Sequence, residues 1–166
     1  MAQTSTTSYA QSSSSAHQRS MEARVGRTKQ RYATDGSRLV AGIVPLSSDK
    51  TKVLIVESTR KPNGWVLPKG GWETDEDTAE LAAQREAWEE AGITGKVTKS
   101  LGQIRDNRTT VKAIYMFFEM IVGEELTEWP EMKKRKRKWV SYKDAYEKFG
   151  SRSEMLEALD RSSIAK

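Results

Sequence analysis

Between Gly70 and Ile93 the chain reads GGWETDEDTAELAAQREAWEEAGI, a stretch holding eight carboxylates and one arginine. Ala, Leu, Glu, Gln and Arg dominate from Asp75 to Ala91, Thr74 can cap the start and Gly92 is placed to stop it, so the pattern predicts a helix over 75–91. The stretch carries a charge of −7 inside a protein of net charge +5. Residues three and four apart share a helix face, so Glu86, Glu89 and Glu90 project within an arc of about 100°. Like charges at this spacing destabilise an isolated helix by about 0.2–0.5 kcal/mol per pair, and a cation among them relieves the repulsion. The acidic face therefore reads either as a solvated surface or as a divalent-metal site.

The residues the chain lacks narrow that choice. There is no cysteine, which removes disulfides, thiolate zinc sites and Cys nucleophiles. The single histidine, His17, lies in a Ser-rich leader, so a catalytic triad or His-based zinc site in the folded part is excluded in practice. Chemistry must then use carboxylates, Lys, Arg, Tyr or hydroxyls, and oxygen ligands suit Mg²⁺ or Mn²⁺.

A length of 166 residues is that of one domain. No apolar run approaches the roughly 18 residues of a membrane span, and Met1 to Ser20 lacks the apolar segment of a secretory signal. Residues 1–23 are expected to be a disordered leader and 24–162 the folded domain, acting in the cytoplasm as a monomer. Arg19 to Arg31 is basic and poor in apolar residues and reads as a linker or arm. RLVAGIVPL (38–46) and KVLIVE (52–57) read as adjacent strands across a turn, and KPNGWVLPKGG as irregular backbone around a brief WVL strand. Strands are predicted over about 93–104 and 111–122, the latter chosen over a buried helix for its β-branched and aromatic content. KWVSY (138–142) reads as a last short strand, and 143–149 and 153–159 as closing helices. This order indicates a mixed α/β domain.

The spacing of the acidic stretch is more specific than its charge. Gly71, then Arg85-Glu86, Glu89-Glu90 and Gly92-Ile93, resembles the signature of the Nudix hydrolases. Asp77 stands where that signature has its first Glu, with Glu76 able to substitute, and Ala87 fills an aliphatic position. The resemblance implies an α/β/α sandwich around a mixed sheet, a loop-helix-loop that holds Mg²⁺, and hydrolysis of a diphosphate linkage. It implies Glu86 and Glu90 as metal ligands and Glu89 as either general base or a further ligand. It further implies that the carbonyl of Gly70 or Gly71 completes the metal shell and that Arg85 makes a structural ion pair.

Positive charge bears on the substrate. Apart from the acidic stretch the chain carries +12, concentrated at Lys133 to Lys138, at Arg24, Arg27, Lys29, Arg31 and Arg38, and at Arg60, Lys61 and Lys69. Such a rim attracts a polyanion. The run KKRKRK also fits a nuclear-localisation or nucleic-acid patch, or a solvated loop, but Trp139-Val140 follows directly, so it abuts a core strand. QRYATDGSRLVAG, GWVLPKGG, REAWEEAGI and KRKRKWVSYKDA resemble the diphosphoinositol polyphosphate phosphohydrolases, a Nudix subgroup, from about Arg31 to Leu159. That likeness implies removal of the β-phosphate of diphosphoinositol polyphosphates, with diadenosine polyphosphates and inorganic polyphosphate as further substrates. It matches Arg31, Arg38, Arg60 and Arg135 to substrate-contacting positions; Lys69 and Arg108 join them on chemical grounds. Two other readings stand beside it. One is a nucleotide-directed Nudix hydrolase acting on dinucleoside polyphosphates or mRNA caps, for which Trp65, Trp72, Tyr115 and Trp129 are candidate base platforms. The other is a non-catalytic module that binds inositol phosphate or RNA.

Overall fold

The computed structural model describes residues 19–106, 108 and 112–166; most of the expected leader, His17 included, lies outside them. The elements are β1 (Arg38–Leu46), β2 (Val53–Glu57), β3 (Trp65–Val66), β4 (Lys69–Gly71), α1 (Ala79–Ala91), β5 (Ile93–Asp106), β6 (Ala113–Glu125), β7 (Arg137–Val140), α2 (Tyr142–Phe149) and α3 (Ser153–Arg161). This is the mixed α/β architecture the sequence predicts. Among the described residues no helix is long and apolar enough to cross a membrane.

The strands form one sheet in the order β3-β2-β1-β6-β5, with β4 paired to β1 and β7 to β2. β1 and β6 run parallel over their whole shared length, from Arg38↔Ala113 to Leu46↔Ile121, and the other pairs are antiparallel. β6 is bonded on both edges, by β1 and β5, so AIYMFFEM is a central strand; Phe117 and Met120 are almost fully buried, and Met116 and Phe118 are half-buried. β1 meets β2 at Leu46↔Val53 and then exchanges partners, pairing with β4 at Val40↔Gly71, Ala41↔Gly70 and Gly42↔Lys69. That exchange places KGG, expected to be irregular, in the sheet beside α1. Three residues of strand pairing are too short and too Gly-rich to announce themselves in sequence.

α1 packs its alanines inward: Ala82, Ala83, Ala87 and Ala91 have no exposed surface. Methyl side chains let the helix approach β1 and β4 closely, which brings its glutamates against the strand backbone. The helix starts four residues later than predicted. Thr78, not Thr74, is the N-cap and accepts from Leu81 N at 3.2 Å. Residues 72–78 are instead held as a loop: the Arg31 guanidinium donates to the carbonyls of Glu73, Thr74 and Glu76, and Thr74 N donates to Lys29 O. Long-range donors outcompete one more helical turn there. At the other end Gly92 takes the left-handed conformation, φ 66°, that Gly adopts without steric cost.

The basic segment 19–31 is not a loose linker. The Trp88 indole donates to Ser20 O at 2.9 Å, Arg24 N donates to Glu89 Oε2 at 3.3 Å, and Gln30 bridges Glu73 as an isolated β-pair. It lies as a strap across the acidic helix and the loop before it.

Candidate active site

Three glutamates of one helix face, Glu86, Glu89 and Glu90, are 7%, 4% and 5% exposed. Burial pushes all three carboxyls up from the ordinary range. At Glu86 the charge of Glu90 adds to burial, and Arg85 opposes both. At Glu90 the carboxyl is pushed up to about 7, with Lys69 and Arg135 pulling the other way. Each is held by specific donors. Arg85 Nη1 reaches Glu86 Oε2 at 3.1 Å and Glu89 Oε1 at 3.3 Å; Lys69 N donates to Glu90 Oε1 at 3.2 Å, and Arg135 Nη2 to Glu90 Oε2 at 3.3 Å.

β4 forms the other wall. A Cβ on Gly70 would overlap the Glu86 carboxylate, so only glycine lets strand and carboxylate come together. The Gly71 carbonyl accepts from Arg85 Nη2 at 2.9 Å, which commits one of its two lone pairs. Four buried carboxylates, these three and Glu76, share two arginines, Arg85 and Arg135, which leaves a negative charge that a cation would compensate. The donor set, all hard oxygen and cradled against a glycine strand, fits a divalent ion such as Mg²⁺.

Arg85 organises the site from behind. Its Nε and Nη2 make a two-pronged contact with Glu76, at 2.8 Å to Oε2 and 3.0 Å to Oε1. Burial alone would depress this guanidinium, but the Glu76 bonds and the fields of Glu86 and Glu89 outweigh it and raise the pKa. Asp77 is exposed, so the anchoring role belongs to Glu76, one residue earlier. The C-terminal carbonyls of α1 are also occupied: Glu131 N donates to Glu89 O, Trp129 Nε1 to Glu90 O and Arg137 Nη1 to Ala91 O. α1 has no basic residue in its last turn, and Arg137 supplies the missing cation from β7.

The six basic residues expected to meet substrate fall into three groups. Arg38 and Arg60 keep guanidiniums free of carboxylates among the described residues. Arg38 Nε donates to Gln30 Oε1 at 2.8 Å, and its Nη2 faces Gly71. Lys69 is half-buried above Glu90; burial depresses its pKa, and Glu90 opposes while Arg135 and Arg152 reinforce. The other three are occupied. Arg31 is spent on loop carbonyls and stacks over Trp72 at 4.7 Å. Arg135, whose side chain is 10% exposed, is shared among Glu90, Glu131 Oε1 and Glu57 O. Arg108 is paired with Asp106 and Glu154.

Sequence reading missed Gln30, Glu131, Arg137 and the Ser20–Trp88 bond. Gln30 carried a signal as the Gln of QRY, Arg137 within KRKRKWVSYKDA and Trp88 within REAWEEAGI, but none of these showed its partner. All four act through contacts at least eight residues apart in sequence, which composition does not encode.

The NUDIX domain model matches residues 36–161. The chain belongs to the Nudix family. Nudix hydrolase 21, chloroplastic, of Arabidopsis thaliana is 43% identical over 148 residues, covering 85% of this chain and 74% of that protein. Diphosphoinositol polyphosphate phosphohydrolase 3-alpha of Mus musculus is 35% identical over 117 residues, covering 69% of this chain and 70% of that protein. A solved Nudix hydrolase from Nitrosomonas europaea shares the fold at a TM-score of 0.66 and 17% identity, covering 75% of this chain and 87% of that one. The Nudix assignment makes the chain a hydrolase of pyrophosphate linkages in phosphorylated small molecules, in a family that generally uses divalent metals. The Nudix helix is α1.

Proposed function

We propose that the chain hydrolyses phosphoanhydride bonds of diphosphoinositol polyphosphates, releasing the β-phosphate, with diadenosine polyphosphates and inorganic polyphosphate as further substrates and Mg²⁺ as the metal. The observation that carries this reading is the pairing of two opposite surfaces. The buried trio Glu86, Glu89 and Glu90 stands beside Gly70, and next to it Arg38 holds a half-buried guanidinium whose hydrogen-bond partner is the neutral Gln30. A half-buried guanidinium with no ion-pair partner favours a bound anion, and a phosphate-rich substrate supplies one.

Glu86 and Glu90, with a β4 carbonyl and Glu89 as a candidate further ligand, would hold the metal, which when bound would supply charge neutralisation at the phosphoryl group and a more acidic water. The chain's own residues do the rest. Glu89, fixed by Arg85 and by the Arg24 amide, is either a ligand or the group that takes the proton from the attacking water. Arg38, Arg60 and Lys69 bind and orient phosphates. Arg85 and Arg135 hold the glutamates in place without touching substrate.

The nucleotide reading is weaker because its candidate platforms are occupied. Arg137 covers Trp129 at 4.0 Å, Lys138 covers Trp65 at 4.3 Å, Arg31 covers Trp72, and Tyr115 stacks on Phe117. Phosphate release from diphosphoinositol, dinucleoside and inorganic polyphosphates with Mg²⁺ or Mn²⁺ tests the proposal. The diphosphoinositol compound should give the highest kcat/KM, and Glu90→Gln should lower it by about 10² or more. Preference for a dinucleoside polyphosphate or capped RNA would reverse the assignment. Action in the cytoplasm, with access to the nucleus, belongs to the same proposal and is tested by imaging a tagged full-length chain.

A further inference from the structure

The five cations of the segment 24–38 look equivalent in sequence, but the structure separates them. Arg24 Nη1 lies 2.6 Å from Glu73 Oε1 and 2.8 Å from Asp75 Oδ1, and Lys29 Nζ lies 3.4 Å from Asp75 Oδ2. Arg31 is spent on three loop carbonyls. Arg27 and Arg38 meet no carboxylate among the described residues. Arg27 is exposed, and its position is nonetheless built. Its carbonyl accepts from Gln30 N at 3.2 Å. The Gln30 side chain donates to Arg31 O and Leu39 O at 2.7 and 2.8 Å and accepts from Arg38. The same few residues that hold Arg38 against Gly71 therefore hold the Arg27 backbone.

Arg60 belongs to a second segment, the turn after β2. It sits in the turn closed by Ser58 Oγ, which accepts from the amides of Arg60 and Lys61, and it too meets no carboxylate. The charges of Arg27 and Arg60 both bear on Arg38 and reinforce the effect of burial on it. Gln30 thus ties the Arg27 backbone to the Arg38 guanidinium, and at Arg38 the repulsion from Arg27 and Arg60 outweighs the opposing charge of Glu86, with no ion pair to any of the three among the described residues. Such an arrangement is unfavourable in the free protein and is relieved by a bound anion.

We propose that Arg27 is a specificity residue that, with Arg38 and Arg60, forms an anion subsite for phosphate groups remote from the bond being cleaved. The subsite makes the strap part of the substrate surface and selects polyanions that carry phosphates beyond the reacting pair. It rests on the reading of the substrate as a polyphosphorylated molecule, and equilibrium binding tests it separately from turnover. Arg27→Ala removes no contact that the fold uses, so its melting temperature should equal that of the parent protein.

The experiment measures binding of inositol hexakisphosphate and of inorganic pyrophosphate to the full chain by calorimetry, in the parent, Arg27→Ala and Lys52→Ala. Lys52 is exposed on the turn at the Leu46 end of β1, opposite Arg38, and reports the effect of losing any one positive charge. Arg27→Ala should weaken the hexakisphosphate about fivefold, the upper end for an exposed charge pair. Pyrophosphate binding, and both probes on Lys52→Ala, should stay within about 1.5-fold. Unchanged hexakisphosphate binding by Arg27→Ala, equal losses for the two variants, or equal losses for the two probes would each overturn the subsite. So would failure of the parent to bind the hexakisphosphate. Arg27-dependent binding in a protein that does not cleave the diphosphoinositol substrate would instead overturn the proposed function and leave the subsite standing.

Discussion

Two basic regions, the segment 24–38 that includes most of the strap and the run at 133–138, differ in the partners their cations meet. In the run, alternate residues turn inward. Arg135 closes on Glu90 and Glu131, and Arg137 lies on Trp129 and the last carbonyls of α1, while Lys133, Lys134 and Lys136 stay outside. Lys138 covers Trp65. Two of the six cations of KKRKRK, Arg135 and Arg137, are thus committed to the acidic helix. The strap also spends three of its cations on structure, but it leaves Arg27 and Arg38 without carboxylates. Counting charges in a sequence measures attraction at long range. Which charges remain available to a ligand depends on the partners that folding assigns to them.

The largest test of this difference is on Arg135. Arg135→Leu breaks a buried pair and should cost about 3–5 kcal/mol in denaturant unfolding of the metal-free protein, with activity falling as Glu90 loses its orientation. A loss under about 1 kcal/mol would return Arg135 to the substrate surface. Arg38→Leu should behave in the opposite way. It should change stability by no more than about 1 kcal/mol, the scale of its one bond to Gln30, while KM for the polyanionic substrate rises about 30-fold, as for one charge-assisted contact. Equal damage to stability and KM would make the two arginines alike.

Glu90→Gln gives a third, smaller effect on stability. Glu90 folds with its carboxyl pushed up to about 7, against about 4.3 for a free Glu. Between those values the folded chain binds more protons than the unfolded one, so the contribution of Glu90 to stability falls as pH rises. The metal-free variant should therefore be the more stable at pH 8, by a few degrees in Tm, and equal to the parent near pH 4. Added Mg²⁺ should raise Tm in the parent more than in the variant. A Tm difference that does not change with pH would contradict this account. The smallest effect belongs to Lys134→Ala, expected within about 0.5 kcal/mol in stability and within about twofold in kcat/KM. A larger loss of activity would place the outer face of the run in the substrate field.

Much of the site was legible because its geometry is local. Glu86, Glu89 and Glu90 share a face whenever that segment is helical, and Gly92 ends the helix by its own conformational freedom. The strands β1, β2 and β6 showed through their apolar runs. The start of α1 was misplaced because Thr74 and Thr78 are both good caps, and the choice between them was made by Arg31 and Lys29, more than forty residues upstream in sequence. β4 was missed because its pairing with β1 exists only once β1 has parted from β2. The strap read as a linker because its attachments, Arg24 to Glu89 and Ser20 to Trp88, join segments 65 and 68 residues apart.

By itself the sequence determined the chemistry that is available: hard oxygen ligands at helical spacing, no thiol, and no histidine outside the leader. It also determined the mixed α/β order of elements. Tertiary structure alone decided that Glu76 rather than Asp77 anchors Arg85, and that Gly70 rather than a larger residue faces Glu86. It also decided that Arg135 is paired with Glu90 and Glu131 while Arg27 and Arg38 meet no carboxylate among the described residues. The division follows from range. Helical periodicity and backbone freedom act within a few residues, whereas the worth of a charge depends on what is buried beside it, and that is known only when distant segments have met.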